Sequence, residues 1–136
     1  MKESKFKSES VTGFKEDSGY IWLHPPRTVK FKRITQLAPY PQINLPPEIG
    51  KVYEGNLNMA TNWGDWTGKS STYKLQIDSS YFEPLINEET YVLSGCGWLE
   101  SDTCCVRYLF SETHGFYEWN YTWNDSLTFT MKLKGL

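Results

Sequence analysis

The sequence predicts an all-β protein, an antiparallel meander curled into a half-barrel or barrel-like sheet, with a β-sandwich as the alternative. Three observations predict it. In the closing stretch from Gly115 to Leu133, Tyr117, Trp119, Tyr121 and Trp123 recur at every second position, and Leu127, Phe129, Met131 and Leu133 repeat the period. Two such runs in succession read as paired strands with one packed face. After Gly50 two further runs alternate in the same way, and no segment sustains a helical period. The sandwich ranks second because the cysteines and tryptophans lack the spacing across distant strands of an immunoglobulin-type domain.

Taken in order, the first ten residues are polar and charged, and they read as a flexible tether over 1–12 ahead of a single β domain over 13–136. Asp17, Ser18 and Gly19 form a turn before a short apolar strand from Tyr20 to Leu23, and Val29 to Ile34 alternates weakly. Six prolines from Pro25 to Pro47 then exclude helix and central strand, because proline removes a ladder donor and fixes φ. That stretch reads as a wrapping segment of edge strands and extended connections.

From Tyr53 to Met59 and from Tyr73 to Asp78, apolar and polar residues alternate, giving strands with one face in and one face out. The turn-rich connection Asn62 to Gly68 between them carries Trp63 and Trp66. Tyr81 to Glu89 contains Pro84 and reads as a loop. Thr90 to Leu99 and Thr103 to Ser111 form a hairpin around Glu100, Ser101 and Asp102, and the closing pair follows. The total is about six strong strands and two or three weaker ones.

Composition narrows the function classes. The chain has 136 residues, a formal net charge of −2 and no long block of either sign, which argues against a nucleic-acid partner. No run approaches the ~18 consecutive apolar residues of a membrane-spanning helix. Aromatic residues make up 16% of the chain, with six tryptophans and nine tyrosines, more than a core of this size requires. Part of that surplus is therefore expected to line a groove or surface.

No nucleophile elbow, zinc-protease helix, phosphate loop or calcium loop is present in the sequence. Cys96 with His114 is conceivable as a nucleophile and base, and a zinc site from the cysteines and His114 is disfavoured because Cys104 and Cys105 are neighbours that point to opposite faces. No cofactor or metal is expected. In the hairpin turning near Ser101, Cys96 lies nearly opposite Cys104 or Cys105, so a bridge to either is geometrically open, but the odd count favours three reduced or buried cysteines. Gly95 and Gly97 mark a bulge or a place where a large ring lies over the strand.

The candidate ligand-binding residues are Trp63, Trp66, Tyr117, Trp119, Tyr121, Trp123, His24 and Arg27. The aromatics would offer a stacking or apolar surface, and the string His24, Pro25, Pro26, Arg27 a rigid clamp for an anionic group. For the string, a fixed chain crossover outweighs the clamp. For Trp63 and Trp66, a plug over a sheet end outweighs a sugar platform.

Three segments together, Tyr20 to Arg27, Pro46 to Gly55, and Tyr108 to Ser111 with Gly115 to Glu118, resemble those of small uncharacterised exported, lipoprotein-like β-rich proteins of Gram-negative bacteria. The resemblance implies a lipocalin-like or lipoprotein-carrier-like curved sheet in the periplasm or at the cell surface, with a cytoplasmic location as the alternative. The start of the chain, Lys2 to Ser10, itself resembles the polar tether that follows the lipidated cysteine of bacterial lipoproteins, which implies a membrane tether, with a frayed cytoplasmic amino terminus as the alternative. The resemblance implies no activity and no catalytic residue. The expected function is accordingly a non-enzymatic envelope or surface domain binding a small apolar or carbohydrate ligand on an aromatic-lined sheet face. The alternatives are a hydrolase using dispersed carboxylates or Cys96 with His114, and a purely structural module of open oligomeric state.

Overall fold

The computed structural model describes residues 14–17, 19–23, 37–59 and 66–133. Among them nine strands follow in order: β1 (Phe14–Asp17), β2 (Tyr20–Leu23), β3 (Gln42–Asn44), β4 (Val52–Asn58), β5 (Ser70–Glu83), β6 (Glu88–Leu99), β7 (Asp102–Ser111), β8 (Gly115–Trp123) and β9 (Leu127–Lys132). The fold is all-β. All pairing is antiparallel, in a three-stranded sheet β1-β2-β3 and a six-stranded meander β4 to β9, which is open because β4 and β9 are its two edges.

The turns are made by residues that tolerate a left-handed backbone. Gly19 (φ 84°) joins β1 to β2, and Asn124 and Asp125 (φ 48° and 59°) join β8 to β9. Asn and Asp reach this region at low cost, and two such residues in succession match the right-handed twist of a hairpin. The loop expected over Tyr81 to Glu89 is mostly strand: Tyr81 pairs with Thr90 and Phe82 with Glu89, leaving Pro84–Asn87 as the turn. Aromatic β-formers on both sides of one proline extend the ladder up to it.

One face of the meander is the inner face. Leu75, Ile77, Leu93, Val106, Tyr108, Phe110 and Tyr121 are buried there in a single cluster with Leu37, Ala38 and Ile43. Residues 37–43 of the proline-rich stretch are thus interior rather than a surface wrap, with Pro39 and Pro41 fully buried, while Pro46 beyond them is exposed. Proline is tolerated because its carbonyl still finds a donor: the Tyr108 hydroxyl donates to the Pro39 carbonyl and the Leu23 amide to that of Pro41, at 3.0 Å for the latter.

Gly97 of β6 explains how this segment fits so closely, while Gly95 lies against its own sheet partner β5. A Cβ on Gly97 would stand 1.9 Å from the Leu37 carbonyl oxygen, and one on Gly95 would stand 2.0 Å from that of Lys74. It is backbone, not an aromatic ring, that lies against both positions. Val29 to Ile34 and the tether over 1–12 fall outside the described residues.

Two bulges interrupt the meander, one at Asp78 in β5 and one at Tyr117 in β8. Each adds one residue against an unbroken partner, so the side chains beyond it change face. The bulge in β8 sets the face of Tyr117.

Candidate functional site

Of the eight candidate ligand residues, the inner face gathers four. Tyr121 is 1% exposed, stacked on Phe129 with centroids 5.0 Å apart and edge-on to Tyr108 at 6.1 Å. Trp66 is buried with its ring 6.0 Å from that of Trp123, and Trp119 and Trp123 are half-buried against the same cluster. Trp66 is therefore part of the core rather than an exposed platform. Trp63, His24 and Arg27 lie outside the described residues.

Tyr117 goes the other way. Leu109 pairs with Glu118 but Phe110 pairs with Phe116, so Tyr117 is the extra residue and Phe116 takes the inner position that simple alternation assigns to Tyr117. Tyr117 packs on the outer face with Val92 and Leu109, and its hydroxyl lies 2.8 Å from the hydroxyl of Thr90. The closing hairpin thus divides its aromatics between both faces.

Burial keeps the inner hydroxyls and the free thiol uncharged. Desolvation raises Tyr108 and Tyr121 above the usual tyrosine value and pushes the Cys104 thiol up to about 12. None of these groups supplies a base at neutral pH. Cys96 is bridged to Cys105 directly across β6 and β7, with Cα atoms 3.9 Å apart. The odd cysteine is Cys104, buried on the inner face, so the expectation of three reduced cysteines gives way to one bridge and one free thiol. Adjacent strand residues point to opposite faces, which separates Cys104 from the bridge. Cys96 is also held apart from His114, which sits in the turn after β7 with Nδ1 3.4 Å from a Glu88 carboxylate oxygen. Among the described residues no group of three or more His, Cys, Asp or Glu is placed to hold a metal ion.

The outer face is organised in rows set by register. Asn56, Thr72, Trp98 and Thr103 face one another across four strands, and Gln76, Ser94, Arg107, Asn120 and Thr130 do so one row further on beyond the disulfide. Directly opposed residues share a face. Thr72 donates to Asn56 at 3.1 Å, Ser70 to Asn58 at 2.5 Å and Thr130 to Asn120 at 2.7 Å. At the near end the Asn124 side chain accepts from the Thr103 amide at 2.7 Å and donates to Asp102 at 3.2 Å. Within this field of hydroxyls and amides the indole of Trp98 is 42% exposed. An exposed flat ring flanked by both donors and acceptors can stack on an apolar face and hydrogen-bond at its rim.

No known family model matches the chain, and no curated protein or solved structure matches it. The site stands on its own geometry.

Reading the sequence missed Trp98. The signal was available: Trp98 alternates with Gly97 and Leu99 and stands two residues from Cys96, on the strand phase whose partners in β5 are the polar residues Thr72, opposite Trp98, and Lys74, opposite Cys96. A large aromatic on the polar phase of a strand is the anomaly to look for.

Proposed function

We propose that this protein is a non-catalytic binding domain of the periplasm or cell surface, presenting the outer sheet face around Trp98 to a carbohydrate. The observation that carries the reading is the 42% exposed Trp98 indole in the row Asn56, Thr72, Trp98, Thr103. A sugar ring has one apolar face of C–H groups and a rim of hydroxyls, and such a row offers a counterpart to each. Carbohydrate fits better than a carried apolar molecule, because Tyr121, Trp66 and Trp123 of the inner face are already packed with Leu37 to Ile43.

The location rests on the Cys96–Cys105 bridge, since structural disulfides persist in oxidising compartments. The resemblance to lipoprotein-like exported proteins points the same way, and a lipid-anchored tether ahead of the domain belongs to this reading. The mixed charges of the outer face, Lys74 and Arg107 among Glu54 and Glu118, favour a neutral glycan over a nucleic acid.

The experiment is a glycan array spanning glucans, chitooligosaccharides and peptidoglycan fragments, with hits titrated against wild type and Trp98→Ala. Covering the exposed part of an indole is worth about 1–2 kcal/mol, so the variant binds about tenfold more weakly while keeping its unfolding midpoint. Equal binding by both proteins would remove Trp98 from the site.

A further inference from the structure

We propose that the outer face carries a second surface at its far end, a docking groove for a basic segment of a partner protein that inserts one large apolar side chain. The groove lies under the β5–β6 turn, and its wall residue Leu109 pairs with Val92, six residues and so roughly 20 Å along β6 from Trp98. Leu85 and Ile86 of that turn overhang it, Leu109 and Leu133 wall it, and Tyr117 is its floor. Its volume is about 100 Å³, room for a side chain rather than for a free cofactor.

The β8 bulge creates the floor. Without the extra residue Tyr117 would face the inner cluster, and the space beneath Ile86 would hold no ring. Bulges concentrate beside functional sites because they re-aim a side chain in this way. The rim of the groove is also more apolar than its exposure calls for: Leu85 is 86% exposed, with Leu133 at 42% on the opposite wall. Neither belongs to the buried clusters of the described residues. They form an exposed apolar rim around a preformed cavity, the usual arrangement of a protein contact.

Charge selects the occupant. Glu83 and Glu118 border the groove, and Lys132, the one cation lining it, lies 4.0 Å from Glu118 and so faces a carboxylate already. Glu88 stands directly opposite Glu83 and shares its face. The surplus is negative around an apolar hole, which complements a Phe or Leu flanked by Arg or Lys. This surface is independent of the carbohydrate reading, and neither needs the other.

The test uses fluorescence anisotropy of the full chain with a short labelled peptide centred on Arg-Phe-Arg, beside versions with the Phe replaced by Ala and the Arg residues by Glu. The expected result is saturable, salt-sensitive binding that falls at least about tenfold with either altered peptide and with Leu85→Asp or Glu118→Lys in the protein. Leu85 is too exposed for its substitution to unfold the domain, and Trp98→Ala leaves peptide binding unchanged. Three outcomes overturn the proposal: no saturation, equal binding of all three peptides, or wild-type affinity in Leu85→Asp. Phenethylamine binding as tightly as the peptide also overturns it, in favour of a small-amine site.

Discussion

At Gly97 a single methyl group decides whether the interior closes. The added Cβ would stand 1.9 Å from the Leu37 carbonyl oxygen, and backbone cannot swing aside as the end of a long side chain can. Gly97→Ala is expected to cost about 1–3 kcal/mol or more in urea unfolding, by forcing the Leu37 segment off the sheet. Gly55→Ala is the control, because its nearest neighbour is the Tyr73 side chain at 3.1 Å, and it should cost less. Buried protons set a second residue-scale expectation. Below pH 9 the Cys104 thiol is protonated in folded and unfolded chains alike; between the ordinary value of 9.0 and about 12 the folded chain keeps a proton that the unfolded chain has lost. Stability therefore falls as pH rises through that window, and Tyr108 and Tyr121 add to the slope above their ordinary value of 10.0. Unfolding measured from pH 8 to 12 should show this decline, shallower in Cys104→Ala.

Pairing decides matters at the scale of elements that single residues leave open. Cys96 and Cys105 are nine residues apart in sequence, and closing so short a loop stabilises the fold by about 2–3 kcal/mol in the chain-entropy view. The double Cys→Ser variant at 96 and 105 should lose about that much, and a thiol count on the denatured wild-type chain should give one free thiol. The alternation from Tyr73 to Ile77 and from Trp119 to Met131 was readable in the sequence, because a sheet with one packed face writes its period directly into the chain. The β8 bulge was not, since one extra residue leaves the local composition unchanged while reversing the face of Tyr117. The cysteine bridge needed a register fixed to a single residue, and the turn at Glu100 allowed two. The path of Leu37 to Ile43 was hidden for another reason: prolines mark where regular structure fails, without saying whether the segment lies inside or outside.

For the molecule as a whole, the surplus of aromatics divides by depth. Tyr108, Phe110, Phe116 and Tyr121 make a close-packed interior beneath the Leu37–Ile43 segment, while Trp98 alone of the described tryptophans stands exposed, on the opposite face. The fold class followed from periodicity alone. The candidate site did not, because the aromatics of the closing hairpin are dense for a reason of packing: Tyr121 lies in the core, and Trp119 and Trp123 pack against it. The central claim is that recognition belongs to the outer face. It is tested most directly by the indole N–H resonances in a two-dimensional ¹H–¹⁵N NMR spectrum, titrated with an oligosaccharide taken from the array. The Trp98 resonance should shift progressively to saturation, with those of Trp66, Trp119 and Trp123 unmoved. Shifts confined to Trp66, Trp119 or Trp123, with Trp98 silent, would place the ligand on the inner face and contradict the account.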